Sequence, residues 1–512
     1  MKNLCLLLSL ALPVGATSAE SLTGMVIEVV VDHKDHTSKS HLSLETENGV
    51  YRLEGKIPKA GSKITVEGET DAAGAMAVKK FTLISEPTSE LDSLHASNDL
   101  VTILAVRLKF SGTAESACSV KELGDTLFKK DNPQSLKSFY QETSKQLLAV
   151  NGSVLQETID LEVDAKSCAF ESWVNLALPL LRKKGLGPGS FSHLMFLTPE
   201  LPCGWDAVAT LQTKYSMVNG LACRNPAFLA HQFGHNLGLH HATRPGVEYG
   251  DDSDIMGSMT QLRGFNIANK DKLGWGQPGE MILNTGTPQT IELTSLRYPG
   301  KNAKLPQSVK IQTSEMVNPV YLSFRKSAGY DASLPTIFHS RVALHSFGQD
   351  EVVSYPRSQL LEVLSPGGTY SLGKETGLSI SVLEMNVDRA KIQIQRECLR
   401  FPATFNVMPL VVTAPKNTFT DTHVEVTNND NLSCPATVFN LSQNLQNGAE
   451  AELPFEQLTL KPGESRGFTL PVRTVSWHNI HRPRVKVKLS DEFHKERILS
   501  VDINIPGVSA KK

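Results

Sequence analysis

The sequence predicts a multidomain α+β chain, and three observations carry that expectation. Short alternating strands fill residues 20–86, strand and helix alternate from Val101 to about Trp275, and strands alone continue to the end. At 512 residues the chain also exceeds what a single hydrophobic core sustains. Lys and Arg number 51 against 53 Asp and Glu, a net charge of −2. No overall field therefore draws the chain to nucleic acid or to an anionic membrane, and a nucleic-acid partner is not expected.

Residues 1–19, MKNLCLLLSLALPVGATSA, hold one Lys, an apolar run from Leu4 to Leu12 and small residues up to Ala19. That is the pattern of a cleaved signal peptide, which predicts a secreted or periplasmic protein. The run is about half the ~20 residues a membrane span needs, so no membrane insertion is expected. In residues 20–86 the bursts GMVIEVVVD, HLSLET, VYRLEG, KITVEG and VKKFTLI are separated by turn residues, which predicts a small all-β domain in the place of a propeptide. Residues 87–98 are a polar linker.

Residues 99–285 are predicted to be the α/β domain. VTILAVRLKF and SHLMFLTP are strand-like, and SLKSFYQETSKQLLAV and SWVNLALPLLRKK have helical spacing. Residues 286–397, with TIELTSL, SVKIQTS, VYLSFRK and RVALHSF, are expected to form a β domain associated with it. Residues 398–512, with HVEVTNN, FEQLTL, RGFTLPV and RVKVKLS, predict an Ig-like β-sandwich of seven strands.

Of the seven cysteines Cys5 falls in the signal, leaving Cys118, Cys168, Cys203, Cys223, Cys398 and Cys434. An even number in an oxidising compartment predicts disulfides. Cys398 with Cys434 is the natural C-terminal bridge. Cys118 with Cys168 and Cys203 with Cys223 is the favoured pairing of the rest, with the two other pairings open.

The chemistry concentrates in HQFGHNLGLHH, residues 231–241. Asn225-Pro226 starts a helix well, Asn as cap and Pro in the first turn, so a helix over Pro226 to about Leu237 is expected. His231 and His235, four apart, leave one face of it and can grip one metal ion. Gly238 can take the left-handed conformation that ends a helix, bringing His241 round as a third ligand. Three protein ligands with water in the fourth position is the arrangement of a catalytic Zn2+. His240 is expected to be exposed or to lie behind the ligands.

Downstream, Met256 comes after an acidic turn in YGDDSDIMGS. Here the sequence resembles the metzincins and, through EYGDDSDIMG and FNIANKDKLGW, the gametolysin family of extracellular metallopeptidases. The resemblance covers roughly residues 100–395. It implies a metzincin-like domain, one Zn2+ on His231, His235 and His241, a methionine turn at Met256, and a polypeptide substrate or protein ligand. Asp251, Asp252 and Asp254 are read as a solvated turn, with Ca2+ as the lesser reading. Residues 20–98 contain no cysteine, so this segment cannot latch the metal with a thiolate.

In the family's pattern the residue after the first histidine is a glutamate that moves protons; here it is Gln232. An amide can hold water but cannot take its proton. Positioned acid–base catalysis is worth about 10²- to 10⁴-fold, so the resemblance implies a metal site with impaired hydrolysis. Three accounts stay open: a pseudopeptidase acting as an extracellular binding module, a peptidase rescued by Glu248 or Asp252, or an engineered replacement.

Overall fold

The computed structural model describes residues 20–71, 74–87, 99–187, 189–276, 279–281, 288–297, 304–313, 316–349, 355–373, 376–476 and 482–506. Residues 1–19, expected to be a signal peptide, and all of the expected linker but Pro87 lie outside them. No described helix is long and apolar enough to cross a membrane.

The chain first forms a ring of five strands, β1 (Glu20–His33), β2 (Ser38–Glu45), β3 (Val50–Glu54), β4 (Lys63–Thr70) and β5 (Ala75–Ser85). β1 pairs with both β2 and β4, and β2–β3–β5–β4 closes the circle. Alternation along each strand turns Val26, Leu44, Leu53, Ile64, Val66 and Met76 into one buried cluster. Closure leaves few free edges. β1 is the exception: at 14 residues it outruns the ring, and its last residues pair elsewhere.

The α/β part comes next as β6 (Asp99–Lys109), α1 (Val120–Leu127), α2 (Leu136–Thr143), β7 (Leu148–Val154), β8 (Ile159–Asp160), α3 (Phe170–Lys183), β9 (His193–Leu197), β10 (Trp205–Thr210), β11 (Tyr215–Val218), α4 (Pro226–Asn236) and α5 (Ile267–Lys272). β7, β6, β9 and β11 run parallel, and β10 is antiparallel to β11. The sheet is buried on both faces, which is why VTILAVRLKF is a continuous apolar run. Leu104, Val106 and Phe196 face Trp173, Val174 and Leu178 of α3, while Ile103, Ala105 and Met195 face Phe139 of α2 and Phe233 of α4. β1 then adds itself antiparallel to β10, with Val29 opposite Thr210 and Asp32 opposite Ala207.

This two-faced core corrects the expected disulfides. The bonds are Cys118–Cys223 and Cys168–Cys203, not Cys118–Cys168 and Cys203–Cys223. Cys118 and Cys223 lie on the α4 side of the sheet, and Cys168 and Cys203 on the α3 side. The expected bonds would have had to cross the sheet. Cys398 and Cys434 are bonded to each other.

Residues 286–397 are not one module. Among the described residues, those within 294–310 and 320–363 belong to the same compact unit as those from Glu20 to Gly279, whereas those within 280–293, 311–319 and 364–506 form a second unit. Buried polar groups explain the first allegiance: Arg325 donates to the carbonyls of Ser253 and Gly264, and His345 bonds Asp251.

In the second unit the C-terminal part is two packed sheets. One holds Thr404–Met408, Thr420–Thr427, Ser465–Thr474 and Ala449–Ala451; the other holds Val411–Thr413, Arg497–Asn504, Arg484–Ser490, Thr437–Gln446 and Gln457–Leu460. Val424, Val426, Phe439, Leu441, Leu470, Val485 and Val487 fill the space between. Nine described strands stand where seven were expected, because three-residue strands such as Val411–Thr413 carry no periodic signal.

Candidate metal centre

α4 begins as its sequence dictates. Asn225 Oδ1 accepts from the amides of Ala227 at 3.0 Å and Phe228 at 3.4 Å, and Pro226 occupies the first turn. The helix ends at Asn236, and Gly238, at φ +96°, turns the chain back. His231, His235 and His241 thereby meet, fully or almost fully buried, with ring centroids 4.7–5.2 Å apart.

Each ring is oriented by its Nδ1. His231 Nδ1 bonds the Ile255 carbonyl at 2.9 Å, His235 Nδ1 the Leu239 carbonyl at 2.7 Å and His241 Nδ1 the Glu248 carboxylate at 2.6 Å. Carbonyl and carboxylate oxygens only accept, so Nδ1 carries a proton in all three rings, and it is Nε2 that a neutral ring offers as a ligand. Burial pushes His235 down to about 4, which keeps its lone pair free at neutral pH. At His241 burial is outweighed by Asp32 and Glu248, which hold the imidazole up at about 9, so at neutral pH its Nε2 carries a proton facing Asp32 and the lone pair becomes available only when a cation displaces that proton. All three Nε2 atoms are buried without a hydrogen-bond partner.

They point at a residue that the motif did not reveal. Asp32, at the end of β1, places its carboxylate 3.6 Å from His231 Nε2, 3.7 Å from His235 Nε2 and 3.0 Å from His241 Nε2. The four donor atoms all lie within 4.8 Å of one another. Bonds of about 2.0–2.1 Å to a tetrahedral ion would set them about 3.3–3.4 Å apart. Buried lone pairs and a carboxylate in this grouping fit a divalent cation at its centre.

The surroundings are ordered around the same point. Gln232 Nε2 donates to Asp32 Oδ2 at 2.5 Å and the Tyr249 hydroxyl to Oδ1 at 2.7 Å. Glu248 is committed elsewhere: it accepts from His241, from Arg357 at 2.7 Å and from Ser38 at 3.1 Å. Although burial works against its charge, His241 and Arg357 hold its carboxyl down at about 2. It orients a ligand and does not stand free as a base. Asp252 is exposed and outside the cluster. His240 lies behind the ligands, buried, stacked on Tyr355 at 3.7 Å with Nε2 3.5 Å from Glu28.

The acidic turn is solvated only at Asp252, where all three acids were expected to be exposed. Asp251 and Asp254 are fully buried. Asp251 accepts from Ser253, Asn266 and His345; Asp254 accepts from the Met256 and Asn266 amides and from Asn269. Burial, reinforced by Asp251, pushes Asp254 up to about 6. Their oxygens are spent on internal donors, and among the described residues they form no metal-binding group.

These bonds fix Met256, fully buried beneath α4, where a Cβ at Gly234 would sit 2.4 Å from its Sδ. Gly234→Ala is therefore expected to destabilise the protein, since overpacking costs about 1–3 kcal/mol and the helical gain over glycine is only about 0.5–1 kcal/mol. A urea midpoint equal to or above that of the unaltered chain would refute this contact.

Comparison with known proteins places the geometry. Residues 68–362 match the model of the gametolysin peptidase M11 family, more than half of the chain. The autolysin of Chlamydomonas reinhardtii is 25% identical over 211 residues, 33% of this chain and 33% of that protein, so the match spans about a third of that relative's length. Solved structures give only slight likenesses. Native alpha-2-macroglobulin from Escherichia coli (domain MG7 to the C-terminus) is 12% identical over 20% of this chain and 17% of its own, with a TM-score of 0.17. WR4, a C. elegans MSP family member, is 8% identical over 20% and 94%, with a TM-score of 0.14. Neither bears on the fold. With the family model spanning the α4 histidines, the methionine turn and the strands behind it, the chain belongs to the gametolysin peptidase M11 family, with glutamine at the position of the catalytic glutamate.

Proposed function

We propose that this chain is a Zn2+-binding protein of zinc endopeptidase type whose ligand class is polypeptide and whose own hydrolysis is disabled at Gln232. The observation that carries the reading is the convergence of three buried Nε2 atoms, each ring oriented by a bonded Nδ1. Three imidazoles with a carboxylate are ligands that suit zinc. Bound there, Zn2+ supplies Lewis acidity toward a peptide carbonyl and lowers the pKa of water.

The chain's own residues decide how far that chemistry can go. Glu248 keeps His241 in the tautomer that ligates, and the Ile255 and Leu239 carbonyls do the same for His231 and His235. Gln232 holds an oxygen by donating from Nε2 but has no basic site to receive a proton. Neither neighbouring carboxylate is free to replace it, since Asp32 and Glu248 are bonded on both oxygens. Three disulfides support work in an oxidising extracytoplasmic compartment, in keeping with the signal-like residues 1–19.

Metal analysis of the full chain tests the reading. One zinc per chain is expected, lost in His231→Ala, together with no chelator-sensitive cleavage of denatured casein above background. A metal-free chain, or brisk cleavage abolished by chelation, would overturn it.

A further inference from the structure

Three histidines suffice for an open zinc site, which leaves Asp32 without a role. Open sites keep a water at the fourth position, whereas four protein ligands make a closed one. Asp32 stands at that fourth corner, 2% exposed, with its oxygens 3.0–3.7 Å from the three ligand nitrogens. A carboxylate oxygen is itself a zinc donor at about 2.0–2.2 Å. We propose that Asp32 is the fourth ligand, so that the N-terminal strand occupies the metal centre in cis and keeps it closed to water and substrate. The inference rests on the zinc reading of the site.

Two features show that the arrangement is built. Asp32 is placed by backbone: β1 pairs with β10 from Val29 to His33, and the carboxylate is buried and bonded where it stands. Its oxygens are also shared out, Oδ1 to the Tyr249 hydroxyl and Oδ2 to the Gln232 amide.

The second feature gives Gln232 a purpose. An amide at that position donates to the Asp32 carboxylate, whereas a glutamate would set a second buried carboxylate against it, and the two could stay together only by taking up a proton.

Cobalt substitution of the full chain, with azide as probe, tests the proposal. The visible spectrum of the Co2+-loaded unaltered chain is expected not to respond to azide. In Asp32→Ala the vacated position should accept the anion and the spectrum should shift. Zinc affinity should also fall by at least about tenfold, since even outer-shell partners of a zinc ligand are worth 10- to 100-fold. Asp32→Asn keeps the size of the side chain and guards against a folding defect; it is expected to hold zinc more weakly too. An azide response in the metal-loaded unaltered chain, or unchanged zinc affinity in both variants, would overturn the inference alone. A chain that takes up neither Co2+ nor Zn2+ would instead remove the zinc reading, and this inference with it.

Discussion

His235→Ala is expected to lower zinc affinity by about 10²- to 10³-fold. Structural zinc sites bind with roughly 10–16 kcal/mol, so one ligand in four is worth about 2.5–4 kcal/mol, at 1.4 kcal/mol per decade. The buried site gives no substitute ligand: Glu248 is tied to His241, Arg357 and Ser38. His240→Ala is the discriminating control. Its ring neighbours the ligands in sequence but faces Tyr355 and Glu28, so zinc affinity should stay within a few-fold. Metal-competition titration of both variants checks this, and similar losses in the two would mean that the ligand set is wrong. Because binding stabilises only the folded form, a free metal concentration a thousandfold above the dissociation constant adds about 4.1 kcal/mol. His235→Ala should therefore also melt at a lower temperature than the zinc-loaded chain.

What could be read from the sequence was what local chemistry encodes. Asn225-Pro226 and Gly238 bound α4, and spacing alone brings His231, His235 and His241 to one point. The strands of HVEVTNN, RGFTLPV and RVKVKLS announced themselves by alternation, because one side of each meets a core and the other water. Asp32 was not legible, being 200 residues from Gln232 and joined to it only by the pairing of β1 with β10. The one hint was an apolar strand, IEVVVD, that ends in an acid within a segment lacking cysteine. The partners of Cys118, Cys168, Cys203 and Cys223 were misread for the same reason, since sequence distance does not say which face of a sheet a cysteine reaches, whereas Cys398 and Cys434 pair as expected. The acidic turn misled because charge is read as surface, and the donors that make its burial tolerable come from Asn266, Asn269 and His345.

Asp331→Ala is expected to cost about 3–5 kcal/mol of folding stability, the penalty of stranding a buried charge. Asp331 is 1% exposed and receives Arg325 through both Nε, at 2.9 Å, and Nη2. Arg325 is itself 8% exposed, so water cannot replace the lost carboxylate freely. The same guanidinium donates to the carbonyls of Ser253, at 2.5 Å, and Gly264, at 3.1 Å, on either side of Met256. Damage should therefore spread from the ion pair to the floor of the metal centre. Removing both charges should cost less than removing one: Arg325→Met with Asp331→Ala is expected to recover part of the loss, because the stranded Arg325 charge is gone, Arg297 keeps its pair with Glu142, and the methionine refills some of the volume. Chemical denaturation of the wild type, each single variant and the double variant closes the cycle. Additive single effects would show that the pair is not coupled, and an Asp331→Ala chain within about 1 kcal/mol of wild type would show that the charge is solvated after all.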